Sequence, residues 1–172
     1  MKEVSSATVV PSGFPLSSIN FVLKGGEPNQ LQFWIHFTDN AQTKDYYALK
    51  VERKRQFWND SKYSVENSSL TLNLDDEPLL NTSSGLDDIL MIENEFYRNL
   101  YYWDDTKIQG KSYKDRLNTN YEADYEDDFI TPDGVEHIKC QVKYRISLYS
   151  LSEEFYRYLK SLNDQKNNGL GN

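Results

Sequence analysis

A stretch near the C-terminus, Ile138 to Leu148, constrains the fold most strongly, because apolar and polar side chains alternate along it without a break. Strand side chains point alternately to two faces, so the pattern predicts a long strand with one buried and one exposed face. The alternation ends before Ser152, where a capping serine and two glutamates predict the start of a helix that runs to Leu162. The apolar residues expected to form its buried face are Phe155, Tyr158, Leu159 and Leu162. This strand and helix are an architectural signal, and none of their residues points to catalysis.

Other segments with alternating side chains predict further strands. They are Ile19–Lys24, Leu31–Thr38, Tyr46–Arg55, the run through Leu70, Leu72 and Leu74, and Lys111–Leu117. The strands at 31–38 and 46–55 are expected to form a hairpin with a connection of about seven residues. For residues 79–100, a loop followed by a strand that ends near Trp103 is favoured over a helix from Asp87. Residues 122–128 are expected to be a solvated loop, and Pro132-Asp133-Gly134 a turn.

Short strands separated by turns, with no helical crossover, predict an all-β fold. We expect an antiparallel, immunoglobulin-like β-sandwich with one short C-terminal α-helix. The predicted domain covers residues 19–164, after an extended linker or first-strand region at 1–18 and before a flexible tail at 165–172.

Composition excludes some classes of partner. The net charge of −8 argues against nucleic acid and against an anionic membrane surface, because binding to phosphate needs a basic face. No transmembrane run and no signal peptide is recognisable, so we expect either a cytoplasmic protein or an excised piece of a secreted one. Cys140 is the single cysteine and lies in the apolar register of the long strand, which predicts a buried structural thiol.

Catalytic and metal-binding motifs are not recognisable in the sequence. His36 and His137 are the only histidines, and neither has a second histidine or a cysteine at metal-ligand spacing. There is no GxSxG nucleophile motif and no glycine-rich phosphate loop. A pair of carboxylates brought together from distant loops stays open. We therefore predict that the chain is not an enzyme.

The segment Glu122–Asp128 holds five carboxylates in seven residues. Calcium prefers several oxygen ligands, so this segment is a candidate calcium site. Its candidate ligands are Asp124, Glu126, Asp127 and Asp128. The spacing lacks the glycine of an EF-hand loop, and a solvated loop without metal is the alternative.

Aromatic residues make up 14% of the chain, with 13 tyrosines. Four of them are candidates for a platform on which a sugar ring stacks: Trp58, Tyr101, Tyr102 and Trp103. The alternative is that they belong to the core or to a sheet edge.

Several segments, in order along the chain, resemble one known family. They are SATVVPSGFPLSSINF at Ser6–Phe21, HFTDNAQTKDYYALKV at His36–Val51, DDTKIQGKSY at Asp104–Tyr113 and the closing strand and helix at Val142–Gln165. They resemble the second, C-terminal domain of Bacteroidetes surface lipoproteins that carry a domain of unknown function and are often encoded beside TonB-dependent receptors. Asn40 departs from the family, since many members have proline there. The resemblance implies that this chain is the family's second domain alone, without its lipobox cysteine and immunoglobulin-like first domain, and with its glycine-rich C-terminal segment absent or cut short at Gly169–Asn172.

The resemblance implies a non-catalytic binding or accessory domain of an outer-membrane lipoprotein. The expected location is the cell surface, with a lipid anchor outside this otherwise soluble chain. The implied partner is a TonB-dependent nutrient-uptake receptor, and a glycan or a peptide is a further candidate ligand. The family has no established catalytic residues to transfer, and the alternative function is a carbohydrate-binding module that uses exposed aromatic residues.

Overall fold

Eight strands and one α-helix account for most of the residues that the computed structural model describes, namely 16–24, 30–59, 62–74, 77–80 and 99–168. In chain order they are β1 (Leu16–Lys24), β2 (Gln30–Thr38), β3 (Tyr46–Asn59), β4 (Lys62–Ser69), β5 (Tyr101–Asp104), β6 (Ser112–Asn120), β7 (Tyr125–Thr131), β8 (Gly134–Leu151) and α1 (Glu153–Asn168). A 3₁₀-helix at Asp105–Lys107 follows β5.

The strands form two antiparallel sheets. One sheet has the order β1-β2-β6, and the other has the order β4-β3-β8-β7. The short strand β5 pairs with the first residues of β3, and β4 pairs with the last residues of β3. Both lie on the same edge of β3. The predicted all-β sandwich with one C-terminal helix is therefore confirmed.

The core lies between the two sheets and is filled by alternate residues of the facing strands. The face of β3 that points into it, which we call the inner face, begins with Tyr47, Leu49 and Val51, all buried. The other buried apolar residues of this core include Phe33, Ile35, Phe37, Tyr101, Trp103, Leu117 and Leu148. The predicted burial of Cys140 is also confirmed.

The predicted hairpin between the second and third strands is wrong. β2 and β3 belong to different sheets, so the segment 39–45 crosses from one layer of the sandwich to the other. The Asp39 amide donates to the Lys111 carbonyl at 3.0 Å, and the Asp105 amide donates to the Asp45 carbonyl at 3.1 Å. Alternation identifies a strand and its buried face, but it does not identify the partner strand. Two strands in facing sheets show the same alternation as two strands paired in one sheet.

The strand predicted through Leu70–Leu74 is also wrong. Within this segment only Asn73 makes a β-bridge, with Asn118. The strand in this region is β4, which begins at Lys62, eight residues before Leu70. Leu72 is buried because this extended connection passes over the core. β4 gave no amphipathic signal because its residues 62–67 are exposed on both faces.

The predicted limits of the domain, residues 19 and 164, lie close to the first and last described residues, 16 and 168. Leu16–Ser18, which the sequence places in the linker or first-strand region, belong to β1, and residues 165–168 of the expected tail belong to α1. Residues 1–15 and 169–172, and most of the ambiguous segment 79–100, lie outside the described residues.

The C-terminal helix is confirmed, and so is the burial of Leu159, but the predicted burial of Phe155 and Tyr158 is wrong. Ser152 caps it as expected, since its hydroxyl accepts from the Phe155 amide at 3.2 Å. The docked side is formed by Tyr156, whose ring lies 4.7 Å from that of Tyr46, and by Leu159, which is buried. Phe155 and Tyr158 are 45% and 54% exposed, since a strip through Tyr156 and Leu159 covers the outer face of β3 and β5.

We expect Leu159→Ala to lower the free energy of unfolding by about 2 kcal/mol, because it leaves a cavity under the helix. Phe155→Ala is the matched control, and its exposed ring predicts a change below about 0.5 kcal/mol. Chemical denaturation of both variants measures the difference. A larger loss for Phe155→Ala would mean that the helix docks on its other side.

Asp115 is a buried residue whose surroundings disfavour the charged form of its carboxyl group. It is fully buried on β6, and neither carboxyl oxygen has a hydrogen-bond partner within the described part of the chain. The neighbouring Glu77 is also buried, but it accepts from the Tyr113 hydroxyl at 3.0 Å and from the Arg116 amide at 2.7 Å. Burial, and secondly the negative charge of Glu77, raise the pKa of Asp115 well above the 3.8 of an unperturbed aspartate.

Asp115→Asn should therefore change how stability depends on pH. Because the folded-state pKa lies above the unfolded-state value, the contribution of Asp115 is complete below the unfolded-state value and is lost as the pH rises toward the folded-state value. We expect the variant to gain stability relative to the wild type as the pH rises from about 4 to 7. Asp133→Asn, in an exposed turn, is the control, and parallel pH profiles of unfolding for all three proteins would contradict this expectation.

Candidate functional site

The second sheet extends well beyond the core. We call this extension the projecting sheet and define it as residues 53–59 of β3, all of β4 and β7, and residues 134–143 of β8. Residues 62–67 of β4 and 125–130 of β7 are exposed. More than half of the large apolar side chains that are exposed in the described chain lie here. An apolar surface of this kind on a stable sheet is typical of a contact surface.

Arginines mark the boundary between the core and the projecting sheet. On the inner face of β3, the fully buried apolar residues end at Val51, and Arg53 and Arg55 follow before the half-buried Phe57. Both guanidinium groups bind Glu122, with N–O distances of 2.8 Å for Arg53 and 2.6 Å for Arg55. The hydrogen bond to Glu122 also raises the pKa of Arg55. These ion pairs lie at the end of the core, where each arginine is next to a carboxylate of opposite charge.

Only residues 122–124 of the acidic segment lie outside a strand as predicted, because residues from Tyr125 onward form β7. Basic residues on β8 relieve the expected repulsion. His137 contacts Asp128 at 2.6 Å and Glu126 at 2.9 Å, and Lys139 lies 3.6 Å from Glu126. Hydrogen bonds to Asp128 and then Glu126 raise the pKa of His137. Cross-strand pairs of opposite charge therefore stabilise a strand where the local sequence suggested none.

The strand geometry divides the four candidate calcium ligands. Glu126 and Asp128 lie on the outer face of β7, while Asp127 points to the inner face. Asp124 accepts a hydrogen bond from the Val142 amide at 2.8 Å. Calcium binding at this segment stays a prediction, and it requires ligands from both faces of one strand.

The four aromatic residues predicted to form a platform are not brought together. Tyr101 and Trp103 are buried in the core, and Tyr102 lies under α1, where its hydroxyl donates to the Leu159 carbonyl at 3.3 Å. Trp58 alone lies on the projecting sheet. Its ring centroid is 5.3 Å from that of Tyr63, a residue that the sequence gave no reason to single out.

A shallow depression of about 540 Å³ lies at this end of the projecting sheet. Its lining combines apolar and polar side chains: Phe57, Asn59, Lys62, Tyr63, Ser64 and Ile138. Such a mixture offers ring stacking together with hydrogen-bond donors and acceptors.

The turn between β7 and β8 carries the most exposed apolar residues of the described chain. We call residues 129–135 the β7–β8 tip. Ile130 and Val135 are direct cross-strand partners, 91% and 66% exposed, and Phe129 is 46% exposed on the opposite face. Sequence reasoning identified the Pro-Asp-Gly turn but missed its apolar flanks. Their signal was available, since apolar residues border the turn on both sides.

At the other end of the molecule, three aspartates meet. The carboxylates of Asp39, Asp45 and Asp105 offer oxygens within 4.8 Å of one another, and among the described residues they are the group that could hold a metal ion. We call this group the acidic junction. The sequence did not predict it, because its members are far apart in the chain and carry no motif.

Protein donors already fill the acidic junction. Asp39 accepts from the Tyr47 hydroxyl and, at 2.8 Å, from the Gly110 amide, while the Lys44 ammonium binds Asp105. Gly110 has a φ of +68°, and a Cβ there would lie 2.7 Å from the Ala41 side chain. Burial, and then the hydrogen bond to Asp39, raise the pKa of Tyr47. These contacts join the crossing segment 39–45 to the end of β5, which indicates a structural role.

The fold and its surface define a β-sandwich domain with a projecting, two-faced sheet. The family model described as a domain of unknown function, DUF4249, matches residues 1–172, and the chain belongs to this family. Searches of the curated proteins and of the solved structures found no match. Among the described residues, the helix is too short and too polar to cross a membrane.

Proposed function

We propose that the chain is a non-catalytic binding domain of a cell-surface lipoprotein and that it works with a TonB-dependent receptor of the outer membrane. The β7–β8 tip is the observation that carries the binding role, since Ile130 is 91% exposed on a paired, regular hairpin. The resemblance described above supports the receptor as partner. The absence of recognisable catalytic motifs in the sequence supports a non-catalytic role.

The β7–β8 tip has the composition of an interface centre. Ile130 and Val135 are adjacent on one face, and burying a side chain of this size contributes about 1.5–3 kcal/mol. Charged residues surround them, with Glu126, Asp128 and His137 on the same face. An apolar centre within a polar rim is the usual arrangement of a protein–protein contact.

A substitution at the β7–β8 tip tests this role. We expect Ile130→Asp in the full-length protein to abolish co-purification of the receptor from native membranes, because the aspartate would be desolvated in the interface. The fold should remain, since Ile130 is almost fully exposed in the free domain.

Tyr158→Ser is the matched control, because it removes an exposed aromatic from α1, outside the projecting sheet. It should leave the recovery of the receptor unchanged. Failure of the wild-type protein to recover a receptor, or equal recovery with Ile130→Asp, would contradict the proposal.

A carbohydrate-binding module is the second candidate. The pair Trp58–Tyr63 favours it, because the two rings lie together on the outer face of the projecting sheet, and the Tyr63 hydroxyl accepts from the Gln56 side-chain amide at 2.7 Å. Aromatic rings beside polar groups suit the faces and hydroxyls of a sugar.

On a glycan array, a carbohydrate-binding module should bind a defined set of sugars, and Trp58→Ala should reduce that binding at least about tenfold. Phe155→Ala removes an exposed aromatic elsewhere and should bind like the wild type. An array without binding by the wild type would exclude this second candidate and leave the first unaffected.

A further inference from the structure

The outer edge of β4 is a regular edge strand. Eight consecutive residues, Lys62–Ser69, pair with β3 without a bulge, and β4 is the end strand of the described sheet beyond β3. Residues 62–67 are exposed, so the backbone N–H and C=O groups that point away from β3 face solvent. An unprotected edge of this length is a template for another strand.

The opposite edge of the same sheet differs in its chemistry. β7 carries Glu126, Asp127 and Asp128 in succession, so pairing with its own copy would place carboxylates against carboxylates. Consecutive charges on an edge are a common protection against strand addition. β4 has no such run, and its two charges, Lys62 and Glu66, are opposite in sign.

The sequence of β4 complements itself. In an antiparallel pair of two copies centred on Ser64, Lys62 of each copy lies opposite Glu66 of the other, and Tyr63 lies opposite Val65. We propose that two copies of this chain associate through β4 in this register and form one continuous sheet. The association is independent of the β7–β8 tip.

The side chains on both faces of β4 fit this pairing. Tyr63 and Val65 are 54% and 42% exposed in the single chain, and both lie on the outer face, where they would cover each other across the new pair. On the inner face, Glu66 binds Arg55 at 3.2 Å but keeps a side chain that is 53% exposed. Glu66 can therefore accept Lys62 of the second copy while Arg55 remains bound to Glu122.

Pairing would also bring the two depressions together. Lys62 and Ser64 line the depression and lie at or beside the centre of the pair. One strand pair buries less surface than a standard protein interface, so the dimer should be weak and dependent on concentration. A dissociation constant on the order of 100 µM is expected.

Sedimentation of the intact chain between about 1 µM and 1 mM tests the proposal. The wild-type mass should rise from that of one chain toward that of two across this range. Lys62→Glu places two glutamates opposite Glu66 residues, and Glu66→Lys places two lysines opposite Lys62 residues. Each variant alone should weaken the dimer at least about tenfold.

Mixing the two variants is the decisive experiment for the proposed register. A Lys62→Glu chain offers only carboxylates and a Glu66→Lys chain only ammonium groups, so an equimolar mixture should regain the dimer. Val22→Glu, on the exposed part of β1, is the control and should dimerise like the wild type. Circular dichroism shows whether each variant is folded.

Three results would overturn the proposal. They are a wild-type chain that stays monomeric at 1 mM, a dimer that persists unchanged in folded Lys62→Glu, and a mixture of the two variants that stays monomeric. A monomeric wild type would leave the β4 edge for a strand of a different protein. Loss of the dimer in Val22→Glu would place the contact on β1 instead.

Discussion

The structure depends on the pairing of β3 with β8. Fourteen consecutive residues of β3, Tyr46–Asn59, pair with Leu151–Ile138 of β8 without a register shift. The core needs only part of this length, because the fully buried apolar residues on the inner face of β3 end at Val51, and Arg53 and Arg55 follow. The backbone pairing of β3 with β8 therefore continues beyond the part of the sheet that packs against the core. These hydrogen bonds hold the projecting sheet, where most side chains are exposed or half-buried.

Cross-strand charge pairs take over where burial ends. Arg55 and Arg53 share Glu122, and His137 joins Glu126 to Asp128. Individually, exposed pairs of this kind contribute little, but each one also removes a like-charge repulsion that would otherwise oppose strand formation. The acidic strand β7 can thus exist because β8 is basic at the matching positions.

Sequence reasoning predicted the elements that bury one face and missed those that bury none. Alternation identified β8 because Cys140 and Leu148 are buried on one of its faces, and it identified β2 for the same reason. β4 and β7 are exposed on both faces, so no local pattern marks them as strands. The acidic junction was beyond local reasoning, since Asp39 and Asp105 meet only when the sheets pack. Helix α1 was found by its cap, but a helix with aromatics on several sides does not reveal which of them docks.

The two ends of the molecule therefore have different tasks. At the acidic junction, Asp39 and Asp105 are buried, and hydrogen bonds from protein groups fix the crossing between the sheets. At the other end, Ile130 and Tyr63 remain exposed on a regular backbone, where they are available without any rearrangement of the core. A rigid sheet that presents apolar groups loses little conformational entropy when a partner covers them. The same ladder that extends β3 beyond the core thus also preorganises the surface that we assign to recognition.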